Sequence, residues 1–122
     1  MTKKFRLVVS NTLGFDVVGR INEEGPRPLD VRFRITADRI DVSEYRDVLA
    51  EGSAVTTRDF LAAHLRGWSG QRLVLDEQDQ PAEYSVEALD VMLSLVGMER
   101  LILGAYLDKL AVSATPEGRA KN

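Results

Sequence analysis

A period of two runs through residues 3–9, with Phe5, Leu7 and Val9 on one side of an extended segment and Lys4, Arg6 and Val8 on the other. Successive side chains of a strand point to opposite faces, so this alternation predicts a half-buried strand. Ser10 to Gly14 reads as a turn. Phe15, Val17 and Ile21 then resume the alternation around Gly19, whose missing side chain marks a bulge or a close backbone approach. Asn22 to Pro28 carries prolines, which have no amide proton for a ladder, and is therefore a hairpin loop. The clearest strand is Leu29 to Thr36, with Val31, Phe33 and Ile35 inward and Arg32, Arg34 and Thr36 outward. Residues 3–36 thus predict about three antiparallel strands.

From Asp38 the period lengthens. Ile40, Tyr45, Val48 and Leu49 interleave with Asp41, Glu44, Arg46, Asp47 and Glu51, which predicts a helix starting at Asp38 or Ser43 and stopping at Glu51-Gly52. A second helix opens at Thr57 as its cap, has Asp59 in its first turn, and gathers Phe60, Leu61, His64 and Leu65 on one face before Gly67. Trp68 to Leu75 fits either a short strand through Leu73-Val74-Leu75 or an extended connection, and Asp76 to Pro81 is an acidic surface turn. Ser85 caps a third helix whose apolar stripe is Val86, Leu89, Met92, Leu93 and Val96, and Gly97 ends or kinks it. The fourth helix, from Met98 or Glu99 to about Val112, is apolar on most sides. Such a helix is either central to its domain or covered by another molecule. The expected fold is α+β: a small N-terminal antiparallel sheet followed by a C-terminal bundle of about four helices. Residues 1–112 form one domain, β-rich over 3–36 and helical over 38–112, and 113–122 form a flexible tail.

Length and composition narrow the chemistry. A chain of 122 residues fits one core. It has no cysteine and one histidine, which removes disulfides, thiolate nucleophiles and cysteine-based zinc sites. Within the C-terminal tract the longest uncharged stretch, Val91 to Met98, is far short of the ~18 residues a membrane span needs, and the N-terminus has no signal-peptide core. Neither a membrane partner nor export is expected, and the expected location is the cytoplasm. Net charge is −3, with seven Lys/Arg against four Asp/Glu in residues 1–36 and nine against fifteen in residues 37–122. The acidic helical part disfavours nucleic-acid binding, while the polarity suits head-to-tail self-association.

No set of residues points to catalysis. His64 lies at helical spacing with Phe60 and Leu61, has no matched nucleophile signature, and reads as structural. Asp76, Glu77, Asp79 and Glu83 lack the central glycine and terminal glutamate of a calcium loop. No glycine pair has phosphate-loop spacing. Arg32 and Arg34, with Lys4 and Arg6 on a neighbouring strand, suggest a basic sheet face, but no aromatic interleaves there to stack bases. Trp68 and Tyr84 are of the types enriched in interface hot spots, but a single Trp in a small domain is more often a core anchor. Hydrophobic material is concentrated in Gly67 to Tyr106, which holds the single tryptophan and two of three tyrosines. Binding to other proteins is the function class left standing.

One ordered series sharpens this: Phe60-Leu61, Gly67-Trp68, Asp76-Glu77, Pro81, Tyr84-Ser85 with Glu87 and Leu89, then Ala105-Tyr106. In order and spacing it resembles the phage tail assembly chaperones over roughly residues 55–107, with Gln78-Asp79-Gln80 standing where the family pattern has a glycine. The resemblance implies a non-enzymatic, cofactor-free protein of the bacterial host cytoplasm, from a phage or prophage. It would bind the tape measure protein, keep it soluble, and help recruit the tail tube protein during virion morphogenesis. It also implies a longer frameshifted form in many members, and Ala120-Lys121-Asn122 is compatible with a slippery A-rich heptamer in the gene. The partner-binding residues expected on this reading are Trp68, Tyr84, Leu89, Leu93, Leu101 and Tyr106, on apolar helical surfaces from Leu89 to Leu110. The alternative is a structural tail-completion or head-tail joining subunit.

Overall fold

The computed structural model describes residues 4–50, 52 and 55–114. In chain order the elements are β1 (Thr12–Ile21), β2 (Leu29–Asp38), α1 (Val42–Leu49), α2 (Thr57–His64), β3 (Leu65–Ser69), α3 (Val86–Leu93) and α4 (Met98–Leu110). The sheet is antiparallel in the order β1-β2-β3, and the fold is α+β with four helices among the described residues. β1 and β2 form a hairpin with Val17 opposite Phe33 and Phe15 opposite Ile35. The expected loop from Asn22 to Pro28 closes it.

The strand count was legible, but one strand is not where the alternation predicts it. Residues 4–10 are exposed and form no strand, although Phe5, Leu7 and Val9 alternate as a strand would. The turn expected at Ser10 to Gly14 is instead the start of β1, which begins at Thr12. The third strand is Leu65–Ser69, which pairs Trp68 with Ile35 and Gly67 with Thr36 on the other side of β2. It follows α2 without a linker: Leu65 N–H still bonds Leu61 O, and Leu65 has already turned to extended backbone. That abruptness is why Leu65 reads as the last residue of a helical face.

One face of the sheet supplies half of the core. Phe15, Val17, Val31, Phe33, Ile35 and Ala37 are buried there, as alternation requires. α2, α3 and α4 supply the other half through Phe60, Leu61, Leu89, Met92, Leu93, Met98, Ile102 and Tyr106. α4 is the central helix. Tyr106 is fully buried, stacks on Phe15 at 5.3 Å between ring centroids, and donates its hydroxyl to the backbone carbonyl of Asp38. Farther along α4, Leu101 fills the space over Gly19, where a Cβ would come within 2.7 Å of its Cδ2. The expected close approach at Gly19 is therefore between strand and helix.

The helix boundaries follow capping chemistry. Asp41 caps α1 through Glu44 N–H at 2.9 Å, three residues after the Asp38 start that the charge pattern allowed. Thr56, one residue before the expected Thr57, caps α2 through Asp59 N–H at 3.1 Å. Ser85 caps α3 through Ala88 N–H at 3.0 Å, as expected. Gly97, at φ +92°, breaks the chain between α3 and α4 in the left-handed region where glycine is favoured. Because α3 stops at Leu93, Val96 falls outside the buried stripe and is exposed, and Val86, in the first turn of α3, is exposed as well. The tail expected at residues 113–122 lies, from residue 115, outside the described residues.

Candidate functional site

The six residues expected to touch a partner separate into two groups. Leu89, Leu93 and Tyr106 are core residues with at most 4% of their surface exposed. Leu89, Leu93 and Tyr106 therefore face the core, with α4 packed on β1 and α3 packed on α2 and α4. Leu101 is half-buried over Gly19.

Trp68 and Tyr84 come together. Their rings meet edge to face at 5.1 Å, both half-buried. The Trp68 indole donates to Ala82 O at 2.9 Å, and the Tyr84 hydroxyl donates to Leu65 O at 3.3 Å. Between them Gln71 acts as a buried hub that sequence reasoning missed. Its Nε2 donates to Val74 O at 2.9 Å and Ala82 O at 3.1 Å, and its Oε1 accepts from Leu73 N–H and Val74 N–H at 3.0 and 2.9 Å. A glutamine among charged and apolar neighbours gives no periodic signal, so only the folded loop reveals it. Asp76 organises the acidic turn, its Oδ1 accepting from Gln78 and Gln80 N–H at 2.9 and 3.0 Å. Asp79 has φ +61° there, the conformation a glycine would adopt. Leu75 and Pro81 close the turn as an isolated bridge, so the ambiguous Leu73-Val74-Leu75 contributes one bridge rather than a strand.

The charged groups pair among themselves. Asp16 accepts from Arg32 at 3.0 Å and Arg34 at 3.1 Å, and Asp30 accepts from Arg20 at 2.8 Å. Most of the positive charge on the outer sheet face is thus matched, and the strand that was to carry Lys4 and Arg6 beside it is not formed. Asp38, at the end of β2, takes a bidentate pair of bonds from Arg66 at 2.6 and 2.9 Å. That pairing holds its carboxyl below the ordinary aspartate value. His64 lies between Asp38 at 3.7 Å and Glu44 at 3.6 Å, and its Nδ1 has no hydrogen-bond partner. No serine or threonine hydroxyl is hydrogen-bonded to it, so the nucleophile-base pairing of covalent catalysis is missing among the described residues. Burial raises the Tyr106 phenol above its usual value, with the Asp38 and Glu44 carboxylates adding to the effect. No group of three or more acidic or histidine side chains is placed to hold a metal among the described residues. No helix among them is long and apolar enough to cross a membrane.

The apolar surface that remains outside lies elsewhere. A groove of about 600 Å³ runs between α1 and the C-terminal end of α4, lined by Ile40, Val42, Tyr45, Leu49, Leu110 and Val112, with Asp41 and Arg46 at its rim. Val42 and Leu49 are exposed by 62% and 57%, because α1 buries no residue in the core. The sequence signal for this groove was present: α1 is short and charge-rich, yet carries apolar residues that no neighbouring element absorbs. A second apolar point is Leu95-Val96 at the α3–α4 turn, between hollows of about 560 and 320 Å³. The chain matches no protein-family model, no curated protein and no solved structure.

Proposed function

We propose that this protein is a phage tail assembly chaperone that binds amphipathic helical segments of the tape measure protein and keeps it soluble until tail tube subunits polymerise around it. The observation that carries the reading is the contact between two of the motif residues. Trp68 and Tyr84, which help supply the resemblance, pack ring against ring, while Asp76 shapes the turn between them, Ser85 caps α3 and Tyr106 is buried against Phe15 and Phe60. These structural roles support reading the ordered series as a framework. Asp79, in the segment where the family pattern has a glycine, adopts a glycine-like φ, which also supports the reading.

On this reading the motif residues build the scaffold, and the client rests against the α1–α4 groove. An apolar groove with charged rims suits helix-in-groove recognition, and the acidic balance of residues 37–122 helps keep a loaded complex in solution. Co-expression with the tape measure protein tests it. The soluble fraction of the tape measure protein should rise with this chain present. An unchanged fraction at saturating chaperone would reject the proposal, and recovery of the chain in purified virions would replace it with the structural tail subunit.

A further inference from the structure

We propose that residues 5–9 of one molecule add as an extra strand to the open edge of β1 in a second copy of the chain, joining two three-stranded sheets into one. This goes beyond the client-binding reading and does not depend on it.

The donor is an exposed segment that belongs to no element of its own molecule. Phe5, Leu7 and Val8 are 85–87% exposed, and Val9 is 54% exposed. A run of alternating apolar residues with strong strand preference is costly to leave in water, at roughly 25 cal/mol per Å², and it is the sort of segment that pairs with another chain.

The acceptor is an edge of the same fold. β2 is the central strand, so β1 pairs on one side only. A groove of about 520 Å³ runs along its other side, lined by Asp16 and Val18 of β1 and by Arg100, Leu101, Gly104 and Ala105 of α4. Asp16 and Val18 point to the outer face of the sheet, whereas Leu101 and Ala105 belong to the helix packed on the inner face. The strand edge therefore lies at the bottom of the groove. An added strand would lay Phe5, Leu7 and Val9 toward Leu101, Gly104 and Ala105, and would set Val8 on the outer face beside the half-exposed Val18. Gly104 leaves open space at the place its Cβ would occupy. The other sheet edge is less free, since Leu65 O of β3 already accepts from Tyr84.

A second copy, rather than the same molecule, must supply the strand. Folding back onto its own β1 would need a tight reversal at Ser10-Asn11. Those two residues are held otherwise: Asn11 O accepts from Arg39 N–H at 2.8 Å, extending the β1–β2 ladder, and Ser10 O accepts from Arg39 Nε at 2.8 Å. The chain bends at Asn11 and again at Val9, and residues 5–9 stay exposed without bridging to their own β1. Donor and acceptor on one chain give a self-complementary, two-fold arrangement.

Sedimentation of the full chain, with two variants that leave the core untouched, tests this. Wild type should reach about twice the 13.6 kDa chain mass as concentration rises. Leu7→Asp removes the apolar donor at an exposed position, and Gly104→Arg fills the acceptor groove from an exposed helix position. Each should return the mass to that of one chain, with the circular dichroism spectrum unchanged and cooperative unfolding retained. Mixed together they should recover a two-chain species, because one keeps its acceptor and the other its donor. A wild type that stays at one chain mass overturns the proposal, including the case in which Leu7→Asp loses a client instead. Association that survives Leu7→Asp overturns the donor, and association that survives Gly104→Arg overturns the acceptor.

Discussion

At the scale of single residues, the fold depends on a few polar groups set among apolar ones. Asp38 is held ionised by the Arg66 guanidinium, so its folded-state affinity for a proton is below that of the unfolded chain, whose aspartates titrate near 3.8. Unfolding therefore takes up a proton in acid. The stabilisation is full above about that pH and is lost as the pH falls below it through the folded value. Asp38→Asn should flatten this part of the acid limb in urea titrations between pH 2 and 5, relative to wild type. A second prediction concerns Asp79, which holds φ +61° without being glycine. Asp79→Gly should leave stability unchanged or raise it by up to about 1 kcal/mol, whereas Asp79→Val should cost about 1–2 kcal/mol, because a β-branched side chain is the least tolerant of that backbone. Chemical denaturation of the pair gives the sign directly.

At the scale of elements, caps and the Gln71 hub decide where the chain changes direction. Ser85→Ala removes the oxygen that accepts from Ala88 N–H and should cost about 1 kcal/mol. Gln71→Ala should cost more, roughly 2–3 kcal/mol, since it leaves the amides of Leu73 and Val74 without their acceptor and takes one of two donors from Val74 O and Ala82 O. Denaturation midpoints order the two. What could be read in the sequence follows the same division. β2, the 22–28 loop, Ser85 and Gly97 were legible because alternation, proline, a capping hydroxyl and a glycine each have one dominant local consequence. Residues 5–9 misled because period two reports what a strand needs and not whether a partner is in reach. β3 was hidden because its pairing with β2 spans about 30 residues of chain and its first residue completes a helical face. Leu89, Leu93 and Tyr106 were read as a surface because periodicity finds an apolar stripe without saying what lies against it.

At the scale of the whole molecule, the apolar surface is divided between core and outside. α4 is central, which answers the choice its all-round apolarity left open for Ile102, Tyr106 and Leu107, all buried. The α1–α4 groove is what that arrangement leaves uncovered. Replacing Leu49 and Val112 together by aspartate should change stability by no more than about 0.5 kcal/mol, as expected for exposed positions. The same change should weaken capture of the tape measure protein on the order of tenfold, as the loss of interface anchors does. Pull-down of the tape measure protein alongside thermal melting separates the two effects. A fall in stability that matches the fall in binding would assign these residues to the fold and remove the groove as the docking surface.

The contact between Trp68 and Tyr84 has an optical consequence. As the sole indole in the chain, bonded through its N–H to Ala82 and set edge-on to a phenol ring, Trp68 gives the molecule one indole emission source, at the junction of β3 and the acidic turn, which long-wavelength excitation selects over the three tyrosines. Its colour and intensity should follow the seating of that turn, while a client bound in the α1–α4 groove should leave them unchanged. Loosening of the turn can thus be followed without attaching a dye and told apart from loading of the groove.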